Sequence, residues 1–392
     1  MSTYINAWTL TSCIGAGLDE TRKTLKQNLS GLQSNDWPGA DIDCWIGKVN
    51  DDLLQANTPV AHWNSRNNRL ALTGLQHDRF DELVKAAINE FGNRRVGIAL
   101  GTSTSSIGRT ENAYTCLETD ESFNSLYQQS DIHTPHSTGA FLADHLCVSG
   151  PCVTISTACS SSAKAFATAD RWIKADIVDA VVVAGVDSLC LSVIHGFNSL
   201  QLVSEQPCKP FDIERSGISL GEAAGFALVS RKPSDQNIRL SGYGESTDAW
   251  HMSTPHPEGL GARLAMEQAL ARSGLQPDDI GYLNLHGTGT RANDESEGGI
   301  CASLFDSSLR AAATKGFTGH TLGAAGIVEA IFALEAVTEG LLAGTANTKD
   351  GDTAISDRLI RQTITADVQH AMTNSFGFGG NNCTLIFSRD AV

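Results

Sequence analysis

One cysteine of this chain stands in a setting that suits nucleophilic chemistry. The segment Val153-Thr-Ile-Ser-Thr-Ala-Cys159-Ser-Ser-Ser reads as a strand, an abrupt turn of small residues and the start of a helix. Cys159 would then lie at a helix N-terminus, where the positive end of the helix dipole lowers a thiol pKa. A thiolate is the attacking species in acyl transfer from a thioester. The pattern favours Cys159 as a nucleophile, although a cysteine taken alone is more often a packing residue.

Two histidines follow, each beside glycines at the end of an element. His286 ends the apolar run 281–285 and is followed by Gly-Thr-Gly-Thr, while His320 lies in a turn of small residues before a helix. Open α/β sheets bind ligands at the strand ends, so both side chains could meet Cys159 in one cavity. Two neutral imidazoles that donate N–H bonds would stabilise the enolate left when a malonyl thioester loses carbon dioxide. Lys315 would help to keep both imidazoles unprotonated.

A glycine-rich segment, Asn374-Ser-Phe-Gly-Phe-Gly-Gly-Asn-Asn382, precedes the last predicted strand. It is a weak candidate for a phosphate loop, because neither a Walker lysine nor a helix follows it. Phenylalanines between glycines suit an apolar gate on a mobile hinge. The backbone N–H of Phe378 could join that of Cys159 in an oxyanion hole. An ordinary turn into a strand is the alternative interpretation.

Short apolar strands alternate with longer helical stretches, which predicts an α/β fold with a largely parallel sheet. The predicted strands are 96–100, 153–156, 180–184, 225–229, 281–285 and 384–387, and the predicted helices are 160–175, 261–273 and 326–340. A chain of 392 residues exceeds one compact core, and the polar segment Ser230–Asn237 divides it. We predict two units, 1–232 with the nucleophile and 233–392 with both histidines.

The composition of the chain argues against several classes of protein. The net charge of -16 argues against nucleic-acid binding, which needs a positive face. The ten cysteines include no CxxC pair, so the sequence indicates neither a zinc site nor a disulfide scaffold. The first residues lack the features of a secretory signal, and no apolar run approaches the ~20 residues that span a bilayer. We expect a cytoplasmic protein with reduced thiols, no bound metal and no membrane partner.

Taken together and in this order, four motifs closely resemble the β-ketoacyl-acyl-carrier-protein synthases of the KAS I/II type, within the thiolase-like condensing enzymes. These motifs are the cysteine elbow, HGTGT, the lysine–histidine segment KGFTGHTLGAAG, and NSFGFGGNN. The resemblance implies a thiolase-like fold of two similar α-β-α-β-α layered halves, usually in a homodimer. It implies decarboxylative condensation of two acyl thioesters, carried on the phosphopantetheine arm of acyl carrier protein, with no metal and no dissociable cofactor.

The resemblance also assigns roles to single residues. Cys159 matches the acylated nucleophile, and His286 and His320 match the pair that supports decarboxylation. Lys315 matches the supporting lysine, and Glu329, nine residues beyond His320, matches the acidic residue of the same network.

Further matches concern the route by which substrates reach the nucleophile. Phe378 matches the gate and oxyanion position. Substrate contacts are implied for Thr288 and Thr290, which match hydroxyls that hold the pantetheine arm, and for Phe376, Asp248 and Met252, the last two in a second mobile loop. Arg66 and Arg69 match basic residues that meet the acidic carrier protein.

Several alternatives stay open at this level. The chain could serve housekeeping fatty-acid elongation or a specialised polyene or polyketide pathway, as a homodimer or in a heterodimer. It could be a chain-length factor, although such homologues usually lack the nucleophile that this chain keeps. A cysteine hydrolase would leave the second histidine and Lys315 without a role. A dinucleotide-binding oxidoreductase would need an early glycine fingerprint that is absent here.

Overall fold

A computed structural model of the chain describes residues 2–119, 121–234 and 236–389. Its strands are β1 (Tyr4–Ser12), β2 (Gly15–Ala16), β3 (Gln33–Ser34), β4 (Trp45–Gly47), β5 (Val96–Gly101), β6 (Cys152–Ile155), β7 (Ala180–Asp187), β8 (Leu220–Gly221), β9 (Ala223–Ser230), β10 (Ile238–Thr247), β11 (Tyr282–Asn284), β12 (Ala311–Ala312), β13 (Leu341–Leu342), β14 (Ile364–Thr365), β15 (His370–Gly377) and β16 (Asn381–Arg389). Its α-helices are α1 (Leu18–Lys26), α2 (Asp51–Ala56), α3 (Arg66–Leu75), α4 (Phe80–Phe91), α5 (Ile107–Thr115), α6 (Ser137–Leu146), α7 (Ser161–Lys174), α8 (Leu191–Ser199), α9 (Leu260–Ser273), α10 (Arg291–Leu304), α11 (Lys315–Thr318) and α12 (Ala325–Glu339).

One large sheet runs through the molecule in the order β12-β11-β15-β16-β10-β1-β9-β7-β5-β6. The strands before residue 231 and those after it repeat one arrangement. Numbered along the chain within each set, both read first, fifth, fourth, second, third from the centre of the sheet outward. In both sets the first strand pairs antiparallel with the fifth and the fifth with the fourth, while the remaining pairings are parallel. The expectation of two similar halves is therefore met.

The expectation of a largely parallel sheet is wrong, because antiparallel pairings join β1, β9 and β7 in one half and β10, β16 and β15 in the other. The prediction rested on the alternation of short strands with longer helices, which is typical of parallel sheets whose two faces are covered by helices. Here helices cover antiparallel strands as well: every residue of β9 is buried. The covering of both faces therefore does not determine strand direction.

Most predicted elements have counterparts within one or two residues, and the short predicted strand 281–285 is reduced to β11. The strands β1, β10 and β15 were not predicted. The predicted division at 232/233 falls in the connection between β9 and β10, and it stays a prediction because β10 also pairs with β1 across it. The outer limits of that division, residues 1 and 392, and Asp235 of the connecting segment lie outside the described residues.

Two helices form the buried middle layer that positions the chemistry. Helix α7 follows the third strand of the first half and α12 follows the third strand of the second, and the two helices contact each other. They begin side by side: a Cβ atom added to Gly326 would lie 2.5 Å from the backbone nitrogen of Ala163. The small residues Gly326 and Ala163 allow this close approach of the two helix starts. The turns that precede α7 and α12 therefore lie next to each other.

A search of the described residues for membrane-crossing helices found none with sufficient length and apolar character.

Candidate active site

The turn between β6 and α7 presents Cys159. Ala158 adopts a left-handed conformation with φ 53°, which turns the chain sharply just before the cysteine. Ser161 holds this turn closed, because its hydroxyl accepts the N–H of Thr157 at 2.9 Å and donates to the carbonyl of Ala158. Non-glycine residues with positive φ are uncommon and cluster at functional sites. The predicted strand–turn–helix arrangement is present, with Cys159 buried immediately before α7.

The corresponding turn before α12 presents His320. Its Nε2 lies 3.0 Å from the Sγ atom of Cys159, and its Nδ1 accepts the backbone N–H of Leu322 at 3.0 Å. Ser162 connects the two turns, since its hydroxyl donates to the carbonyl of Gly323 at 2.6 Å and accepts the N–H of Ile327 at 2.9 Å. The first turn of α7 thus fixes the position of His320 relative to the nucleophile.

His286 approaches the same sulfur from the end of β11. Its ring lies 5.5 Å from that of His320, centroid to centroid, and nearly perpendicular to it. The backbone is held by Glu297 of α10, whose carboxylate accepts the N–H groups of His286 at 2.8 Å and Gly287 at 2.9 Å. One ligand atom from each of Cys159, His286 and His320 lies within 4.8 Å of the others.

Lys315 and Glu329 form a buried ion pair behind the histidines. The ammonium group of Lys315 contacts Glu329, the carbonyl of His286 and the Nδ1 atom of His286, the last at 3.2 Å. Burial raises the pKa of Glu329 to about 7, and Lys315 opposes that rise. Burial also lowers the pKa values of His286 and His320 well below the usual range, and the charge of Lys315 lowers both further. Both imidazoles are therefore neutral at pH 7.

The hydrogen bonds determine which nitrogen of each ring carries the proton. In His320, Nδ1 accepts the N–H of Leu322, so the proton is on Nε2, which faces Cys159. In His286, Nδ1 faces the ammonium group of Lys315, so its proton is also on Nε2. The site therefore presents two N–H donors. Such rings suit a developing negative charge and lack the lone pair that a metal ion would need at Nε2.

The glycine-rich segment brings a third donor to the sulfur. A Cβ atom on Gly377 would lie 3.2 Å from the backbone nitrogen of Cys159, so this segment packs directly against the elbow. The backbone N–H of Phe378 makes a hydrogen bond to the thiol that lowers its pKa. The ring of Phe378 stacks on Phe197 of α8 at 5.6 Å. The backbone N–H groups of Cys159 and Phe378 thus both contact the sulfur, and their role as an oxyanion hole stays a prediction.

The thiol pKa differs from the expectation based on the helix dipole. Burial raises the pKa of Cys159 to about 11, and the charge of Lys315 and the N–H of Phe378 only partly oppose that rise. Desolvation disfavours the thiolate because the side chain is only 5% exposed. A pKa of about 11 keeps Cys159 mainly as the thiol at pH 7.

Two cavities meet at Cys159 and Phe378. The first, the entrance cavity of about 210 Å³, has a lining that includes Thr288, Thr290, Phe376 and Asp248. The hydroxyls of Thr288 and Thr290 lie 2.8 Å apart. The second, about 620 Å³, is mostly apolar and runs between α5 and α8; its lining includes Ile107, Val193, Phe197, Leu200 and Leu322. Phe378 separates the two cavities, as a gate would.

Met252 is not brought into either cavity by its side chain, which is 73% exposed. Its carbonyl instead accepts the N–H of Gly379 at 2.8 Å, next to the predicted gate. Asp248 has a similar connecting position: its carboxylate accepts from the amide of Asn382 at 2.8 Å. The predicted second loop therefore touches the glycine-rich segment mainly through hydrogen bonds.

Arg66 and Arg69 lie apart from both cavities. They line a separate pocket with Lys48 and Arg109. Arg66 is bound to the buried carboxylate of Glu222 and to Asp51. Its charge thus serves a contact within the fold, and carrier binding by Arg66 and Arg69 stays a prediction.

Sequence reasoning missed the residues that hold the backbone of the site. Glu297 and Asp294 are buried on one face of α10, where burial raises their pKa values to about 7 and about 6. Asn374 donates its amide to Glu297 at 3.2 Å. The spacing of three residues between Asp294 and Glu297 was a usable signal, because it places both acids on one helix face next to His286.

Comparisons with known proteins agree with this geometry. Residues 74–234 match the N-terminal domain of β-ketoacyl synthases, and residues 238–349 match the C-terminal domain. The chain is 31% identical to the 3-oxoacyl-[acyl-carrier-protein] synthase 2 of Vibrio cholerae over 325 residues, 77% of this chain and 78% of the relative. It is 37% identical to the mitochondrial synthase of Arabidopsis thaliana over 260 residues, 61% of this chain and only 56% of that protein.

Solved structures give the same result. A chain from the complex of a ketosynthase with its chain length factor, from Xenorhabdus doucetiae, superposes with a TM-score of 0.88 at 35% identity, over 99% of this chain and 98% of that one. A β-ketoacyl synthase from Burkholderia phymatum superposes with a TM-score of 0.87 at 25% identity over 100% of both chains. With its cysteine elbow, its two N–H-donating histidines and its repeated thiolase-like halves, the chain belongs to the β-ketoacyl synthase family of acyltransferases.

Proposed function

We propose that the chain is a 3-oxoacyl-carrier-protein synthase, which condenses an acyl group held on Cys159 with a malonyl thioester. The observation that carries the proposal is the pair of neutral imidazoles beside one buried sulfur: Nε2–H of His320 faces Cys159 at 3.0 Å, and a ring nitrogen of His286 lies within 4.8 Å of that sulfur. A hydrolase needs a base that accepts a proton from water. His286 and His320 are instead arranged as donors, because the other nitrogen of each ring is already engaged.

The first half-reaction is acyl transfer to the cysteine. The sulfur of Cys159 attacks the carbonyl of the acyl-carrier thioester, and the N–H groups of Cys159 and Phe378 stabilise the tetrahedral oxyanion. The new C–S bond forms as the pantetheine C–S bond breaks. The departing pantetheine sulfur takes the proton that Cys159 loses, so the step is neutral overall. The acyl chain then occupies the apolar cavity behind Phe378.

The second half-reaction begins with malonyl-carrier in the entrance cavity. The bond to the carboxylate breaks, carbon dioxide leaves, and negative charge develops on the thioester oxygen within reach of His286 and His320. The enolate carbon attacks the acyl carbonyl on Cys159. The thiolate that leaves accepts the hydrogen bond of His320 and then takes up a proton from water, which restores the thiol and balances the charge lost with the malonyl carboxylate. Each well-placed donor is worth about 3 kcal/mol in such reactions.

We propose that this chemistry needs no metal and no dissociable cofactor. The support lies in the donor set: both Nε2 atoms carry protons, and Lys315 places a positive charge 3.2 Å from His286, where a bound cation would be repelled. The phosphopantetheine arm belongs to the substrate, and Thr288 and Thr290 are positioned to hold it.

The proposed partners are an acyl carrier protein and a second thiolase-like chain. Arg69 and Arg109 offer positive charge to an acidic carrier, and they lie beside Arg66 and Lys48, whose charges are paired within the fold. The apolar cavity is bordered by exposed apolar residues, among them Ile107 of α5 at 37% and Leu200, just after α8, at 45% exposure. A second subunit would cover them. The relative from Xenorhabdus doucetiae was solved with a chain length factor, which supports such a heterodimer; a homodimer is the alternative assembly.

The proposed setting is the cytoplasm, supported by ten cysteines that form no disulfide. The pathway is fatty-acid or polyketide synthesis, including polyene formation.

Intact-protein mass spectrometry tests the proposal directly. Purified protein is mixed with a panel of acyl-carrier thioesters, then with malonyl-carrier. The expected result is acylation of Cys159, followed by a 3-oxoacyl-carrier two carbons longer than the primer. Free fatty acid as the main product, formed without malonyl-carrier, would overturn the proposal in favour of a hydrolase.

A further inference from the structure

A buried carboxylate outside the proposed chemistry organises one wall of the apolar cavity behind Phe378. This cavity of about 620 Å³ is the acyl cavity of the proposed function. Asp187 is the last residue of β7 and is fully buried. Its carboxylate accepts four groups from the loop after β5: the hydroxyls of Thr102 and Thr104 at 2.6 and 2.7 Å, and the backbone N–H groups of Ser103 and Thr104 at 2.9 and 2.8 Å. Within the described residues it forms no ion pair with a lysine or arginine.

The loop that Asp187 holds has a conformation that it would not adopt readily alone. Ser105 has φ 44°, in the left-handed region. Its N–H donates to the hydroxyl of Thr102 at 2.9 Å, so Thr102 bridges the carboxylate and the turn. A buried carboxylate is expensive unless donors surround it, and a strained turn persists only where its surroundings over-determine it. The buried carboxylate of Asp187 therefore needs the donors of this loop, and the left-handed turn at Ser105 needs the carboxylate.

This loop forms part of the acyl cavity. Ser103, Thr104 and Ile107 line one side, and α8, which begins four residues after Asp187, lines the opposite side with Val193 and Phe197. Asp187 therefore lies at the junction of the two walls. Neither Asp187 nor Thr102 lines the cavity itself.

The same unit abuts the turn that carries His320. A Cβ atom on Gly323 would lie 2.6 Å from the backbone nitrogen of Ser103 and 2.7 Å from a carboxylate oxygen of Asp187. Leu322, beside it, lines the acyl cavity and holds the ring of His320 through its N–H. The shape of the acyl cavity and the position of the donor histidine thus share one support.

We propose that Asp187, acting through Thr102 and the loop 102–106, is a positioning residue that sets the shape of the acyl cavity and so selects which acyl chain Cys159 accepts. The inference rests on the proposed synthase function and deepens it. Asp187 touches no substrate atom; it acts on the residues that do.

Selectivity between primers separates this role from general support of the fold. A loss of stability lowers the rates for all primers together, whereas a moved wall changes their ratio. Acylation of Cys159 is followed by intact-protein mass spectrometry for acyl-carrier primers of increasing length, and kcat/KM is compared between the preferred primer and one four carbons longer. One or two methylenes in an apolar pocket change such ratios by about 10–200-fold.

The informative variants remove hydrogen bonds without touching the cavity. Asp187→Asn turns an amide NH₂ toward N–H donors, and we expect the ratio to change by about tenfold. Thr102→Val keeps the side-chain shape and removes the hydroxyl, and we expect a shift in the same direction. Thr102→Ser keeps the hydroxyl and should restore the wild-type ratio. Thr11→Val, at a buried threonine whose hydroxyl has no partner among the described residues, controls for the substitution itself.

The outcomes are distinguishable. An altered ratio in Thr102→Val that Thr102→Ser restores supports the inference, even if Asp187→Asn does not fold. Unchanged ratios in Thr102→Val and in folded Asp187→Asn overturn it, whatever happens to stability. If the wild-type protein accepts no primer from any carrier, the proposed function fails first and the inference fails with it.

Discussion

The two catalytic turns occupy the same place in the two halves but differ in construction. The nucleophile turn connects β6 to α7 through residues 156–160, and the histidine turn connects β12 to α12 through residues 313–324. The short connection leaves room for little besides Cys159 and its left-handed neighbour. The longer one contains α11, which supplies Lys315 in addition to His320. One topological position, repeated, thus delivers a nucleophile in one half and a supported proton donor in the other.

The helices that follow these turns differ in the same sense. Helix α7 ends with exposed basic residues, whereas α12 is buried from Ala325 to Val337, and this buried stretch includes two glutamates. Glu329 pairs with Lys315 at the site. Glu335, two turns further on, accepts from Trp8 at 2.8 Å and from Arg22 at 2.6 Å, which fastens the N-terminal strand and α1. A buried charge on α12 therefore serves either the chemistry or the fold, and the partner decides which.

Removing the nucleophile should have the largest effect, because it disables one turn and leaves the other intact. In Cys159→Ala we expect condensation to be lost, because no acyl-enzyme can form. Malonyl-carrier decarboxylation should continue, because the donors of the other turn are untouched. Both are measured in one assay, as 3-oxoacyl-carrier and as released carbon dioxide. Continued elongation at the wild-type rate would show that the nucleophile lies elsewhere.

Burial and the helix N-terminus have opposite effects on the pKa of Cys159 in the nucleophile turn. The pH dependence of alkylation shows which effect is larger. Because burial raises the pKa of Cys159 to about 11, its thiolate fraction should increase about tenfold per pH unit from pH 7 to pH 10. Iodoacetamide labelling, followed site by site by mass spectrometry, should increase in step. The exposed Cys147 is a reference within the same protein. A rate for Cys159 that is already maximal at pH 7 would show that the helix N-terminus outweighs burial.

The main residues of the site could be predicted because each lies in a short sequence motif. The elbow at Cys159, the strand end at His286 and the turn at His320 each occupy a few consecutive residues, so residue type and spacing predicted them. The structure brings these three side chains together with Lys315 and places Glu329 and Phe378 beside them. Thr288 and Thr290, which the family resemblance implied as substrate contacts, line the entrance cavity.

What could not be predicted depends on contacts between distant segments. Arg66 meets Glu222, 156 residues away, and no local pattern marks that pair. The antiparallel ladder of β1 with β9 likewise joins the two ends of a half. Long-range pairing, rather than propensity, decides each of these cases.

Removing the donor of the second turn should give an intermediate effect. In His320→Ala we expect decarboxylation to decrease about 10²–10³-fold, because one oxyanion donor is lost. Acylation of Cys159 should decrease less, since the N–H groups of the first turn remain. Release of carbon dioxide and the mass of the protein report the two steps separately. His62→Ala, at an exposed histidine remote from both cavities, is the matched control. Equal losses in both steps would mean that His320 supports the nucleophile rather than the enolate.

The smallest expected effects concern the two buried glutamates of α12, Glu329 and Glu335. Glu335→Gln weakens hydrogen bonds to Trp8 and Arg22, which should lower the free energy of unfolding by about 1–3 kcal/mol with no change in decarboxylation. Glu329→Gln leaves Lys315 without its counter-charge, so decarboxylation should decrease by about tenfold or more. Denaturant unfolding and carbon dioxide release are measured on both variants. If Glu335→Gln impaired catalysis as much as Glu329→Gln, the division of α12 into a catalytic turn and a structural one would be wrong, and the helix would act on the site as a single rigid unit.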